Sequence, residues 1–247
     1  MLSKTIIKYI QSLIDKKVRD NDGVFIAEGP KVIEDFLASN KFSCKMICAL
    51  PEWFDENKQL LKNVLNENLI EVTDFELEKI SALQTPNKVL AVLYKKEEAA
   101  IDVTNSITLM LDGIQDPGNL GTIIRTADWF GIKNILCSLG CADCYNPKVV
   151  QSTMGSLARI NIGYTDLVDF LKRNKPKNIY AATLSGKNIY ELEKIARGIF
   201  IIGNESKGVS PALLKLTTQQ ITIPKIGEAE SLNAAVATGI ILAEIMK

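Results

Sequence analysis

Asn119 and Arg125 lie six residues apart in the stretch DPGNLGTIIRTADWFG, residues 116–131. Glu205 follows a glycine and an asparagine in FIIGNESKGVS, and Ser231 and Asn233 open a long apolar run in ITIPKIGEAESLNAAVATGIILAEI. Amides donate and accept hydrogen bonds, a carboxylate accepts only, and a guanidinium presents a planar fork of donors. The chain has no histidine, which excludes histidine general bases, Ser–His–Asp triads and histidine metal sites. Acid–base work falls to Asp, Glu, Lys, Arg, Tyr or Cys. The first stretch resembles a phosphate cradle, although it is neither G-x-G-x-x-G nor a P-loop.

These residues need elements that hold them. Ligands of open α/β sheets bind beyond the carboxyl ends of the strands, and each stretch follows an apolar run that reads as a strand: ITLMLD, GIFIIG and QITIP. Helices are expected over residues 119–130, 210–216 and 232–246. Asn119 falls near a helix start, so simple capping is its plain alternative. An ion pair with Asp128 at i+3 is the plain alternative for Arg125. Ser231 is the expected N-cap of the last helix, which leaves Asn233 as a polar side chain that capping does not require. That helix is apolar almost throughout and calls for burial, in a core or against a partner subunit.

The same alternation runs through the rest of the chain. Ser3 caps an amphipathic helix, GVFIAEG is a strand, and Pro30 opens a helix. CKMICAL, a helix after Pro51, a strand over 69–72, a helix capped by Thr73 or Asp74, and KVLAVLYK follow. Residues 95–106, KKEEAAIDVTNS, are polar and charged. Residues 1–96 therefore read as an N-terminal domain, 97–106 as a linker and 107–247 as a second α/β domain. Strands that are apolar throughout point to a mostly parallel sheet covered on both faces. NILC ends at Cys137, a helix is expected over 147–158, and RINIG and NIYAATL are further strands.

With 47% hydrophobic residues in 247, a substantial core is available and wholesale disorder is excluded. Lys plus Arg and Asp plus Glu both total 29, which argues against indiscriminate polyanion binding but permits a local basic face. Lys4, Lys8, Lys16, Lys17 and Arg19 face only Asp15 and Asp20 in the first twenty residues; this is a candidate nucleic-acid contact or a solvated helix face. No apolar run approaches a transmembrane length of about eighteen residues, and the N-terminus lacks the pattern of a signal peptide, so a cytosolic protein is expected. Cys137, Cys141 and Cys144 have the C-x-x-x-C-x-x-C spacing of radical iron–sulfur enzymes. The preferred reading places Cys137 at a strand end and the other two in the following loop. Cys44 and Cys48 alternate with apolar residues and read as buried strand residues.

Taken together, the three stretches resemble the motifs of the SpoU (TrmH-type) RNA ribose 2′-O-methyltransferases of the SPOUT superfamily. The first is N-x-x-x-x-x-R, at Asn119 and Arg125. The second is the Gly-Asn-Glu turn of FIIGNESKGVS. The third is I-P followed by S-L-N-x-A-x-A, at Ile223, Pro224, Ser231, Leu232, Asn233, Ala235 and Ala237. Each motif alone is weak; three in order at strand ends are specific. The resemblance extends to the N-terminus, which is similar to the substrate-binding domain carried by many members.

The resemblance implies a knotted C-terminal domain that binds S-adenosylmethionine, a homodimer with the active site near the subunit interface, and no metal. It implies a cofactor held mostly by the backbone of Leu184, Gly203, Ile223 and Leu232, with Thr183 close by. The expected substrate is structured RNA, ribosomal rather than transfer RNA, with Lys16, Lys17, Arg19 and Lys148 as RNA contacts. Positioning supplies about 7–11 kcal/mol in such a transfer and a general base roughly 3–5 kcal/mol, so alignment contributes more than proton removal. The family's usual assignment makes Arg125 the base or its immediate partner. A guanidinium with a pKa above about 12 is better suited to clamp an RNA phosphate, which then takes the proton. Asn119 and Asn233 would orient ribose and Arg125, Glu205 would pair with Arg125 or hold the asparagines, and Ser231 would contact the RNA or the loop. The rival reading is a non-catalytic RNA-binding or assembly protein on the same scaffold.

Overall fold

The computed structural model describes residues 2–97, 101, 103, 105–193 and 195–247. Much of the expected linker, at residues 98–100, 102 and 104, lies outside the described residues. The chain forms two compact units, Met1–Glu97 with Tyr145–Ala158, and Glu98–Cys144 with Arg159–Lys247. The segment Tyr145–Ala158 thus joins the first unit although its sequence neighbours belong to the second, so the second unit is not the continuous stretch 107–247.

The first unit holds strands β1 (Val24–Glu28), β2 (Cys44–Ala49), β3 (Leu69–Glu71) and β4 (Val89–Tyr94) in the order β1-β4-β2-β3. Strand β4 is antiparallel to both neighbours, while β2 and β3 are parallel. Helices α1 (Lys4–Ser12), α2 (Lys16–Asp22), α3 (Pro30–Ala38), α4 (Pro51–Glu56) and α5 (Asp74–Ile80) surround it. Ile10, Leu13, Val24, Ile26, Leu77, Leu90 and Val92 form a common core. Ser3 caps α1 by accepting from the Ile6 amide at 3.2 Å. Thr73 and Glu76 form a reciprocal capping box at α5, and Glu76 also accepts from the Leu2 amide at 2.5 Å. Those hydrogen bonds hold its carboxyl below the usual carboxylate range.

Arg19 does not act as an RNA contact. Its side chain is buried, 1% exposed, and its guanidinium donates to the Leu13 and Ile14 carbonyls at 2.9 and 2.7 Å. These acceptors follow the end of α1, where helix carbonyls lack internal partners. Lys16 and Lys17 are exposed, and Lys16 faces Asp20 at 3.8 Å.

The second unit is built on a six-stranded sheet whose pairings are all parallel. Its strands are β5 (Ile107–Asp112), β6 (Asn134–Cys137), β7 (Asn161–Tyr164), β8 (Ile179–Asn188), β9 (Gly198–Gly203) and β10 (Gln219–Thr222), in the order β10-β8-β9-β5-β6-β7. Helices α6 (Pro117–Trp129), α8 (Leu167–Asn174), α9 (Pro211–Leu214) and α10 (Ala234–Ile245) belong to this unit, and α7 (Pro147–Ser152) to the first. Strands β5 and β9 are buried on successive residues, as a sheet covered on both faces requires. The helix expected over 147–158 stops at Ser152. Met154 and Gly155 take positive φ, and a 3-10 turn follows at Ser156–Ala158. A Cβ on Gly155 would meet the Asp35 carboxylate at 2.3 Å.

Candidate active site

In register, Asp112 at the end of β5 lies opposite Gly203 at the end of β9. The loops that follow therefore leave the same edge of the sheet side by side. Asp116 Oδ1 accepts from the Asn119 amide at 2.8 Å and is the N-cap of α6, with Pro117 at its first position. Asn119 is thus released from the capping role that was its plain alternative. Its Nδ2 donates to Glu205 Oε1 at 2.5 Å.

Asn233 completes the arrangement, and here the expected cap is corrected. Helix α10 starts at Ala234, and Asn233, not Ser231, is the N-cap. Its Oδ1 accepts from the Ala235 and Val236 amides at 2.9 and 3.3 Å. Capping forces the carbonyl side of this amide toward the helix, so Nδ2 faces away, and it donates to Asn119 Oδ1 at 2.8 Å. With Oδ1 so occupied, Asn119 can only donate from Nδ2, and Glu205 is an acceptor. Helix capping thereby sets the polarity of the whole chain Asn233–Asn119–Glu205. A carboxylate at 233 would cap equally well but could not donate.

The Gly-Asn-Glu turn is held by close backbone packing and by the Asn204 side chain. A Cβ on Gly203 would meet the Gly208 carbonyl carbon and the Val209 nitrogen at 2.2 Å, so only glycine fits. Asn204 Nδ2 donates to the Gly113 carbonyl at 2.8 Å, while its Oδ1 accepts from the Ser206 and Lys207 amides at 2.9 and 3.2 Å. Asp112 Oδ2 accepts from the Ser210 amide at 2.8 Å. Sequence reasoning left Asp112, Asp116 and Asn204 out of the site. An Asp directly before a helix-opening Pro is a legible cap signal, and Asn is a recognised turn former; Asp112 carries no comparable local signal.

Arg125 is exposed and has no hydrogen-bond or ion-pair partner among the described residues. Asp128, its plain alternative partner, binds the Arg159 Nε at 2.8 Å instead. Ser231 is exposed as well, and no contact joins it to the three bonded side chains among the described residues.

The cofactor-site residues fall at two places beyond the sheet edge and one on it. Between Ala181 and Lys187, strand β8 leaves its ladder with β10, whose consecutive residues Gln220 and Ile221 pair with those two positions. Thr183 and Leu184 lie on this excursion. Thr183 Oγ1 bonds the Ser185 carbonyl and reaches the Ile221 carbonyl at 3.5 Å. Gly186 lets the excursion return against β10, since a Cβ there would meet the Gln220 carbonyl carbon at 2.7 Å. Ile223 and Leu232 bracket an irregular loop in which residues 224–232 are all exposed and make no hydrogen bond among the described residues. Leu184 is 79% exposed and Leu232 44%. Exposed apolar side chains beside free backbone donors and acceptors match an adenine ring, which has apolar faces and a polar edge.

Cys137 and Cys141 are hydrogen-bonded to each other with Cys144 nearby. Cys137 and Cys144 are buried, and Cys141 Sγ accepts from the Ile114 amide at 3.3 Å and lies 3.2 Å from the Leu111 carbonyl. No group of three or more His, Cys, Asp or Glu side chains is placed to hold a metal among the described residues. The Cys141 thiol packs the base of the β5–α6 loop. Burial pushes the Cys44 and Cys48 thiols up to about 12.

Residues 106–243 match the SpoU rRNA Methylase family. The chain belongs to the SpoU family of RNA methyltransferases. Residues 4–91 match the MRM3-like substrate binding domain. The chain is 32% identical over 243 residues to the Bacillus subtilis 23S rRNA (guanosine(2553)-2′-O)-methyltransferase RlmP, covering 96% of this chain and 94% of that one. It is 28% identical over 205 residues to a Streptomyces viridochromogenes 23S rRNA (uridine(2479)-2′-O)-methyltransferase, covering 77% and 70% of the two chains. An AdoMet-bound rRNA methyltransferase from Sinorhizobium meliloti superposes with a TM-score of 0.89 at 29% identity, over 99% of this chain and 96% of that one. The C-terminal unit is accordingly the knotted, S-adenosylmethionine-binding methyltransferase domain of the SpoU family, preceded by a substrate-binding domain. Its chemistry is methylation of RNA at ribose 2′-hydroxyls.

Proposed function

We propose that the substrate is ribosomal RNA and that the enzyme works as a homodimer in the cytosol. The observation that carries the site assignment is the chain Asn233–Asn119–Glu205, which joins three motifs 114 and 86 residues apart in sequence. A degenerate binding protein has no need to keep three side chains in one hydrogen-bond polarity. S-adenosylmethionine, when bound, supplies a methyl group activated on a sulfonium. The chain's own residues then have two tasks. The bonded amides hold a ribose hydroxyl in line, and this alignment is the larger contribution. The free guanidinium of Arg125 clamps the neighbouring phosphate in bidentate fashion, and that phosphate accepts the hydroxyl proton.

The ribosomal assignment rests on the substrate-binding domain and on the 23S rRNA substrates of the relatives. Dimerisation is supported by apolar side chains left in solvent on two helices that pack together: Trp129 at the end of α6, 85% exposed, and Val236 on α10, 51% exposed. Five free cysteines suit a reducing compartment.

The test is incubation with methyl-labelled S-adenosylmethionine and under-modified bulk RNA, followed by digestion to nucleosides. Label on ribose of ribosomal RNA, abolished by Asn119→Ala, is expected. Label confined to transfer RNA would overturn the substrate assignment, and label on bases would overturn the chemistry. Sedimentation at micromolar concentration should give a dimer that Trp129→Arg weakens; a wild-type monomer would remove the dimer.

A further inference from the structure

A cavity of about 270 Å³ lies in the first unit, well apart in sequence from the three motifs. Its walls come from β1 (Ile26, Glu28), from the segment after α5 (Leu83, Gln84) and from α7 (Val150, Gln151). Ile26 and Val150 close its floor as packed core side chains, and the half-buried Leu83 and Pro147 give it an apolar wall. The polar groups around it fall into two kinds.

Glu28 is a structural member of the wall. It is 7% exposed, and its carboxylate accepts from the Ser81 hydroxyl at 2.5 Å and the Ala82 amide at 3.0 Å. Both oxygens are engaged by the segment that carries Leu83 and Gln84, so Glu28 shapes the cavity. Gln84, Gln151 and Lys148 are of the other kind. Each lines the cavity, and none of their side chains has a hydrogen-bond or ion-pair partner among the described residues. Gln151 is half-buried, while Gln84 and Lys148 are exposed at the mouth.

We infer that this cavity takes one unstacked base of the RNA substrate, packed against Leu83 and Pro147, read at its polar edge by Gln84 and Gln151, with its phosphate on Lys148. A flat ring with apolar faces and a mixed donor–acceptor edge is the ligand for which aliphatic walls and free carboxamides are complementary, because a carboxamide supplies one donor and one acceptor side by side. A free carboxylate would repel the attached phosphate, and the one carboxylate in the wall is already bonded. The inference rests on the RNA-methyltransferase reading. It adds a recognition point in the unit that carries no methyl-transfer motif. It also gives the excursion Tyr145–Ala158 a task, because α7 is the wall that the N-terminal sequence cannot supply.

The experiment measures binding of fluorescein-labelled, unmodified 23S rRNA fragments to the full-length protein and to the double variant Gln84→Ala/Gln151→Ala. Ser152→Trp, which places an indole at the rim, is the second variant. Thermal midpoints are recorded for all three, and binding of S-adenosylmethionine reports on the C-terminal unit. We expect at least a tenfold weaker RNA affinity for both variants, with unchanged cofactor affinity and thermal midpoint. RNA affinity within twofold of wild type in the double variant would overturn the inference. Wild type that binds RNA without methylating it, together with weakened binding by the variants, would leave the cavity assignment standing while the reaction assignment fell. Wild type that binds no RNA would remove both.

Discussion

Two loops leave the carboxyl edge of the six-stranded sheet and are built in opposite ways. The loop after β9 is tied at every step: Gly203 lies against the Gly208 backbone, Asn204 spans to Gly113, and Asp112 receives the Ser210 amide. The loop after β10, residues 224–232, makes no hydrogen bond among the described residues, and Ile226 in it is 101% exposed. Between them sits Asn119, bonded to Glu205 on the tied side and to Asn233, where the bare loop ends in a helix cap. Preorganisation is therefore concentrated where an oriented hydroxyl needs fixed partners. The bare side keeps its backbone groups free for a ligand, at the cost of ordering on binding.

Breaking the tied loop should have the largest effect. Gly203→Ala forces a methyl into backbone with no flexible side chain to yield, so a stability loss of about 3 kcal/mol is expected, read by urea unfolding. A loss below about 1 kcal/mol would mean that the loop is less rigid than its contacts imply. Next comes Asn119→Ala, which severs both halves of the site. Misplacement of a reacting group costs about 10²-fold, and kcat/KM with S-adenosylmethionine and rRNA should fall by that order, while the thermal midpoint barely moves.

Asn233→Asp sharpens the comparison, because it keeps the cap and replaces the donor to Asn119 by an acceptor oxygen facing Oδ1. Loss of one hydrogen bond worth about 1 kcal/mol, with the repulsion added, predicts a rate at least roughly fivefold lower, with helix content unchanged by circular dichroism. If Asn233→Asp behaved like wild type, the cap alone would be the function of this residue. The smallest effect should come from the bare loop itself. A Cβ on Gly227 meets nothing within 4 Å, so Gly227→Ala should shift stability by less than about 0.5 kcal/mol. Amides of 225–232 should exchange with solvent almost unprotected and slow when S-adenosylmethionine is added. Protection in the free protein would erase the contrast between the two loops.

The site was largely legible because its residues are polar side chains placed right after apolar runs, and strand ends are where open α/β sheets bind ligands. Asn119, Glu205 and Asn233 were readable in this way. What failed to read locally was who caps what. Ser231 reads as the cap of the last helix, but Asn233 takes that place and also has a second partner in Asn119, 114 residues away. Arg19 looked like part of a basic surface because charge is visible in sequence and burial is not; the carbonyls that it satisfies are set by the turn between α1 and α2.

The sequence by itself determined the alternation of strands and helices, the parallel character of the second sheet, the absence of histidine chemistry and the three motifs of the family. All of these follow from local periodicity, composition and short-range spacing. Only the tertiary structure decided the polarity of the amide chain, the assignment of Tyr145–Ala158 to the first unit and the cavity beside it. Each of these depends on groups far apart in the chain meeting in space, and hydrogen-bond partners and packing neighbours are not encoded in any single stretch.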